Sequence, residues 1–307
     1  MHFLEAHNVV KSFTNHLALD NLNVSIPENC IYGLLGPNGA GKTTFIRIVN
    51  QITGPDKGEI LFNGKPLQSK DISQIGYLPE ERGLYKKMKV GEHALYLAQL
   101  KGLSKHEALS RLKYWFQKFE IEPWWGKKIE ELSKGMQQKI QFIVTILHKP
   151  KLLIFDEPFS GFDPVNANIL KKEILKLKKE GATIIFSTHN MDSVEQLCDN
   201  ISLINNGKSV LEGKVNEIRQ KYKNNIIKLE YAGDKDVTEN LISKTSTIIK
   251  SESGNDEVQS LWIKNPESIS VNDLLKNIIE SCTIHSCSEI LPGMDEVFIK
   301  VAGEKNI

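Results

Sequence analysis

Cysteines are few and follow no pattern. Cys30, Cys198, Cys282 and Cys287 are scattered and form no C-x-x-C pair, the usage of a chain that lives in the reducing cytosol. The one dense stretch, Cys282-x-x-His285-x-Cys287, shows no fourth metal ligand. Its neighbours Thr283, Ile284, Ile290 and Leu291 read as a strand, so half-buried strand residues are expected rather than a metal site. No run of about 18 apolar residues occurs, so no segment is expected to span a bilayer. Met1 to Val10 contains Glu5 and lacks the apolar core of a signal peptide. An excess of one charge is missing as well. The formal net charge is +1, which gives no global field to gather nucleic acid or an anionic membrane. There are no internal repeats and no low-complexity tracts. Lys171 to Lys179 is lysine-rich, but Ile174 and Leu175 interleave, as on the solvated side of an amphipathic helix. What remains is 307 residues of ordinary globular balance, enough for two domains at roughly 100–200 residues each.

Short apolar runs alternate with helical patterns over the first two-thirds. Ile31 to Leu35, Ile75 to Leu78, Leu152 to Phe155 and Thr183 to Ser187 read as strands buried on both faces of a parallel sheet. Ile201 to Ile204 and Ser209 to Leu211 flank Asn205-Asn206-Gly207-Lys208, a hairpin signal because Asn and Gly tolerate positive φ. From about Val90 to His148, Leu95, Leu97, Leu100, Leu109, Leu112, Trp115, Phe116 and Phe119 recur at helical spacing. They predict a helical insertion with these side chains in its core, closed by Trp124 and Trp125. Asn224-Asn225 reads as a joint. Beyond it, strands are expected at Ile226 to Tyr231, Val258 to Ile263 and Thr283 to Leu291. Helices are expected after Asp236 or Thr238, over Ser270 to Ser281 and over Asp295 to Val301. The pattern is that of a small α+β domain.

Gly36-Pro37-Asn38-Gly39-Ala40-Gly41-Lys42-Thr43 satisfies G-x-x-x-x-G-K-[ST]. A phosphate needs many N–H donors converging on a small volume; glycines let the backbone wrap, and the next helix adds its N-terminal amides. Lys42 can reach the β- and γ-phosphates, and the Thr43 hydroxyl can ligate Mg²⁺. A strand precedes the loop. A helix follows, expected to carry Phe45, Val49 and Ile52 on one face and to end at Gly54-Pro55. Leu152 to Phe155 delivers Asp156 and Glu157 to the carboxyl end of a buried strand, where ligands sit in open α/β sheets. Asp156 is placed to hold Mg²⁺, and Glu157 to orient and deprotonate water. About 20 residues upstream, Ser133 is a good N-cap and Gly135 lies beside it, which makes a second anion site at a helix start.

Two phosphate-grade helix starts in one chain, with the acidic strand, resemble the ATP-binding cassette (ABC) ATPases. Gly36 to Thr44 resembles their Walker A loop and Leu132 to Gln137 their signature loop. Leu152 to Glu157 resembles Walker B with the catalytic glutamate. Ser160-Gly161-Phe162-Asp163 resembles the D-loop, His189 the switch histidine, and Phe13 the aromatic that stacks on adenine. An ordinary core position is the alternative for Phe13, and a satisfied strand-end position that for His189. The resemblance covers roughly residues 3 to 220. It implies a P-loop NTPase cassette of class α/β over residues 1–222, with a mixed sheet core and a helical subdomain at about 86–148, followed by a small α+β accessory domain at 223–307. It further implies MgATP as substrate, Glu157 and His189 in hydrolysis, and Phe13 with the loop Gly36, Pro37, Asn38, Gly39, Ala40, Gly41, Lys42, Thr43 and Thr44 in nucleotide binding. Ser133, Gly135 and Asp163 are expected to act on the nucleotide of a second, identical copy in a head-to-tail homodimer.

Two departures stand out. Lys134 and Met136 replace the usual glycine and glutamine of the signature. Glu80, in Gly76-Tyr77-Leu78-Pro79-Glu80-Glu81-Arg82, stands where the family usually has a glutamine that touches Mg²⁺, water and the membrane partner. A third acid there is expected to raise metal demand or the pKa of a neighbouring carboxylate. Glu80 to Tyr85 and Met294-Asp295-Glu296-Val297-Phe298 resemble the ATPase subunits of sodium-exporter-type systems in the ABC-2 exporter group. The expected function is therefore an export motor, peripheral on the inner face of the cell membrane, which drives a separate integral-membrane permease. The alternative is a soluble ABC ATPase in an assembly or regulatory complex without a permease. Nucleic acid is not an expected partner, since about 90 residues between Gly41 and Ser133 leave no room for a long coiled-coil arm.

Overall fold

A computed structural model describes residues 2–81, 83–254 and 258–304. Arg82, within the resemblance at 76–85, lies outside the described residues. The chain divides into two compact units, residues 1–215 and 216–307. The division precedes the polar pair Asn224-Asn225, because these residues are engaged inside the second unit: Asn225 O accepts the Asn265 N–H (2.9 Å).

The first unit contains, in chain order, β1 (His2–Phe13), β2 (His16–Pro27), β3 (Ile31–Leu35), α1 (Lys42–Val49), β4 (Lys57–Phe62), β5 (Lys65–Pro66), β6 (Ile75–Leu78), α2 (Val90–Leu100), α3 (Lys105–Lys118), α4 (Lys134–Ile146), β7 (Leu152–Asp156), α5 (Pro164–Lys179), β8 (Thr183–Ser187), α6 (Met191–Leu197), β9 (Asn200–Asn205) and β10 (Lys208–Lys214). The six-stranded sheet runs β10-β9-β3-β8-β7-β6. It is parallel from β9 to β6, and β10 is its antiparallel edge. Every residue of β3, β7 and β8 is buried, which is why these strands read as unbroken apolar runs. β1, β2, β4 and β5 build a second, antiparallel sheet in the order β2-β1-β4-β5. Its inner side packs Leu4, Ala6, Val24 and Ile26 with Phe45 and Val49 of α1 and Ile154 of β7.

The helix after the phosphate loop is shorter than expected. It stops at Val49; Asn50 caps it through Nδ2 to Ile46 O (2.9 Å), and Gln51 turns left-handed at φ 52°. Ile52 thus falls in the closing turn and is 62% exposed, whereas Phe45 and Val49 are buried. An amide cap ended the helix before Gly54-Pro55 could.

In the helical insertion Leu112, Phe116 and Phe119 are core residues, but Leu100 and Leu109 are exposed. The Trp125 indole lies where a Cβ on Gly91 would stand, 2.2 Å from a ring carbon, so Gly91 is what lets the tryptophan close the insertion. One histidine here is buried, His93, and another, His148, is half-buried. His93 meets the Tyr85 ring edge-on, and neither of its ring nitrogens has a partner. His148 Nε2 lies 3.3 Å from Ile75 O. Burial pulls both down to about 4. The unfolded chain takes up these protons near pH 6.5 and the folded chain only near 4, so stability is full above 6.5 and is lost as pH falls through that window. We expect each histidine to cost on the order of 1 kcal/mol between pH 7 and 5, after allowance for water reaching the charged ring. His93→Phe should flatten the slope in urea unfolding at the two pH values; an unchanged slope would refute the assignment.

The second unit comprises α7 (Val215–Lys221), whose residues from Asn216 belong to it, β11 (Ile226–Gly233), α8 (Lys235–Ser243), β12 (Thr247–Ser253), β13 (Val258–Lys264), α9 (Val271–Lys276), β14 (Cys282–Ile290) and α10 (Met294–Glu304). Its antiparallel sheet runs β12-β13-β11-β14. Ile227, Leu229, Tyr231, Leu261 and Ile263 pack against Ile242 of α8 and Leu274 of α9. The cap of α8 is Asp234, which accepts the Val237 N–H (3.1 Å), rather than Asp236 or Thr238; the Thr238 hydroxyl donates to Asp234 O instead. The helix expected over Ser270 to Ser281 is regular only to Lys276 and then closes in turns. Cys282, His285 and Cys287 are strand residues of β14, and among the described residues no group of three or more His, Cys, Asp or Glu side chains could hold a metal ion.

Candidate nucleotide site

β3 ends at Leu35, and the chain wraps from Gly36 to Gly41 into α1. Two glycines are required by space as well as by φ. A Cβ on Gly36 (φ 141°) would stand 2.1 Å from Ile204 O, and one on Gly41 (φ 111°) 2.6 Å from Ala18 O. The loop is braced from behind: Gly207 N–H donates to Ala40 O (2.9 Å), and Asp20 N–H donates to Gly207 O (3.0 Å). The Asn206-Gly207 turn between β9 and β10 therefore supports the phosphate loop. Lys42 Nζ donates to Gly36 O (2.5 Å) and Pro37 O (3.0 Å). Its burial holds the amine below the usual lysine range, and Glu157, Asp156 and Glu80 push it back up.

The acids arrive on β7. Asp156 is buried, and burial raises its carboxyl above the usual range. The Ser187 hydroxyl beside it opposes the rise without closing a well-formed hydrogen bond; Glu80 and Glu157 add to the rise and Lys42 opposes it. The sequence expectation for Glu80, a third negative charge acting on a neighbouring carboxylate, appears here at Asp156. Glu157 takes the left-handed conformation (φ 47°), a strain on the order of 1–3 kcal/mol for a non-glycine residue. Neighbouring groups hold it there. Its N–H donates to Ser187 O (2.9 Å). Oε1 accepts the His189 N–H (2.9 Å) and lies 2.6 Å from His189 Nδ1, and Oε2 accepts the Thr188 hydroxyl (3.1 Å). Thr188 was not singled out in the sequence. The signal was available: it follows β8, whose last residue pairs with Asp156, so its hydroxyl stands at the same sheet edge as the acids.

These groups surround one cavity of about 430 Å³. Its lining includes Phe13, Asn38, Gly39, Ala40, Gly41, Lys42, Thr43, Thr44, Glu80, Asp156, Glu157 and His189, together with His16, Ala18 and Ser187. Gly36 and Pro37 form the loop's inner turn and meet the cavity through Lys42. Phe13 is 49% exposed, so it is no core residue, and Lys11 Nζ lies 5.7 Å from its ring centroid. Ser133, Gly135 and Asp163 do not line the cavity. Ser133 Oγ caps α4 by accepting the Met136 N–H (3.3 Å), and Asp163 caps α5 through Asn166 (2.9 Å). A Cβ on Gly135 would meet only Gly161 O at 3.7 Å and Phe162 at 3.9 Å, with no positive φ. Space and conformation around it would allow a side chain.

Thr43, Asp156 and Glu80, all lining this cavity, carry hard oxygen donors. A raised, buried carboxylate flanked by two more acids is the setting that a divalent cation relieves. The side chains alone form no complete cluster, so such an ion would complete its shell with phosphate oxygens and water.

Comparison with known proteins agrees with this geometry. The family profile described as ABC transporter matches residues 19–160, one described as an AAA domain matches 128–195, and one described as the C-terminal domain of DrrA1-3-like ATP-binding proteins matches 213–302. The chain is 49% identical over 219 residues to the ABC transporter ATP-binding protein YhaQ of Bacillus subtilis, which covers 71% of this chain and 74% of that protein. It is 34% identical to the lantibiotic transport ATP-binding protein SrtF of Streptococcus pyogenes, over 68% of this chain and 90% of that protein. A solved ATP-binding subunit of an ABC transporter superposes with a TM-score of 0.67 at 31% identity, over 72% of this chain and 93% of that one. With the P-loop, the acidic strand end and the second helix start in one fold, the chain belongs to the ABC transporter ATP-binding subunits, and it binds and hydrolyses ATP.

Proposed function

We propose that this chain is the motor of an ABC export system, working as a head-to-tail pair of identical chains against a separate membrane permease. The division of the site carries the reading. Of the expected nucleotide contacts, Gly36 and Pro37 meet the cavity only through Lys42, and Ser133, Gly135 and Asp163 do not line it at all; these last three stand at helix starts, suited to the nucleotide of a second copy. Export is supported by the resemblance at Glu80 to Tyr85 and at Met294 to Phe298, and by the relative named for lantibiotic transport. Among the described residues no helix is long and apolar enough to cross a membrane. A groove of about 550 Å³ lined by Ile52, Ile72, Tyr77, Leu97 and Leu100 offers apolar surface for a permease segment. Leu97 and Leu100 belong to α2 of the helical insertion, and binding there would hold the chain at the inner face of the membrane.

In this reading Phe13 stacks on adenine, and the loop amides from Asn38 to Thr44 enclose the phosphates. Lys42 exchanges the Gly36 and Pro37 carbonyls for β- and γ-phosphate oxygens. Thr43 and Asp156, with Glu80, would hold Mg²⁺, whose charge would offset that of the phosphates. Glu157 takes the proton of the attacking water, and His189 and Thr188 keep its carboxylate aimed. Ser133 and Gly135 of the second copy donate to the γ-phosphate, with Asp163 at the same interface.

A photo-crosslinking residue at Leu100, in membranes from the native host, should capture a multi-span membrane protein. Recovery of soluble proteins alone would overturn the permease reading. Glu80→Gln should keep basal ATPase within about tenfold, since the carboxylate assists Asp156 rather than replacing it. Complete loss of turnover would make Glu80 an essential ligand.

A further inference from the structure

The buried side of α4 is not wholly apolar. Gln138, Gln141 and Thr145 lie at i, i+3 and i+7 on one stripe, buried among Ile140, Phe142, Ile143 and Val144. Each reaches main chain beside the nucleotide cavity. Gln138 Nε2 donates to Pro158 O (3.3 Å), one residue beyond Glu157. Gln141 Nε2 donates to Pro79 O (3.4 Å), one residue before Glu80. The Thr145 hydroxyl lies 2.8 Å from Gln141 O and 3.4 Å from Tyr77 O. The contact is backbone against backbone: a Cβ on Gly76 would stand 2.5 Å from Thr145 O.

A buried amide is retained at a cost, because each unpaired polar atom keeps its full desolvation penalty. Gln141 is exposed to that penalty, since its buried Oε1 meets no hydrogen-bond partner among the described residues. An unbranched apolar side chain of the same length would fill the space without it. What the amide adds is the bond to the carbonyl that precedes Glu80.

We propose that Gln141 is a positioning residue for Glu80: through Pro79 it sets where that carboxylate enters the nucleotide cavity, and it ties the cation site to the helix that begins at Ser133. This rests on the reading of Glu80 as a cation-site group. Mn²⁺ binding to the full chain with the non-hydrolysable analogue AMP-PNP, followed by electron paramagnetic resonance, tests it without turnover. Glu80→Gln should weaken Mn²⁺ binding about three- to tenfold, Gln141→Met should do the same, and the double variant should be no weaker than the weaker single, because both act through one carboxylate. Gln141→Leu stands in if the Met variant lowers the thermal midpoint. Weakening in Glu80→Gln but wild-type binding in a folded Gln141 variant overturns the proposal alone, as does additivity in the double variant. Wild-type binding in Glu80→Gln overturns the placement of Glu80, and the proposal with it.

Discussion

Glu157→Gln should bind ATP with near-normal affinity and hydrolyse it at least ~100-fold more slowly, in keeping with loss of a general base. The substitution is nearly isosteric, so the site should keep its shape. The amide oxygen can still accept from Thr188 or from the His189 N–H, and the left-handed backbone is set by the bond to Ser187 O rather than by the charge. What disappears is proton affinity. Single-turnover hydrolysis and equilibrium binding of a fluorescent ATP analogue separate the two effects. In the proposed dimer, ATP-loaded pairs should accumulate, because ATP bound between the two copies holds them together until it is hydrolysed. Full turnover would move the base elsewhere, with His189 the next group within reach of the same cavity.

The parts of this site that could be read in advance are those whose chemistry is contiguous. The loop from Gly36 to Thr43 and the strand from Leu152 to Glu157 each carry their own motif, and a buried parallel strand announces itself by a short compact apolar run. What stayed hidden is carried by distant pairs. The hydrogen bonds that brace the loop join Asp20 to Gly207 and Gly207 to Ala40, and nothing near any of the three signals the others. β1 and β2 were missed for another reason: their register slips at several points, which breaks the period-2 alternation that marks a half-buried strand. β12 is an edge strand with six of seven residues exposed, so it has no apolar face to detect. Ile52 kept helical spacing with Phe45 and Val49, but periodicity does not register an Asn cap. Ser133 was legible as a helix cap and Asp163 as part of the D-loop; that Asp163 also caps a helix, and that neither lines the cavity, became visible only in the fold.

That absence has a consequence that two inactive chains can test together. Lys42→Ala removes the phosphate-binding amine from a chain's own cavity but leaves its Ser133 and Gly135 intact. Gly135→Asp leaves the cavity intact and places a negative charge where the γ-phosphate of the other copy is expected. The second variant should fold, because a Cβ at Gly135 meets nothing closer than 3.7 Å and an acid in the first turn of α4 suits the helix dipole. Alone, each should retain on the order of 1% of wild-type ATPase, since loss of one anion-stabilising group typically costs 10²–10³-fold. Mixed in equal amounts, they should recover about a quarter of it: random pairing makes half the dimers mixed, and each mixed dimer holds one intact composite site of two. If each chain completed its own site, mixing would add nothing to the two residual rates. Inactivity in the mixture, with mixed dimers seen by native mass spectrometry, would count against independent composite sites, and wild-type turnover by Gly135→Asp alone would remove the second copy from the chemistry altogether.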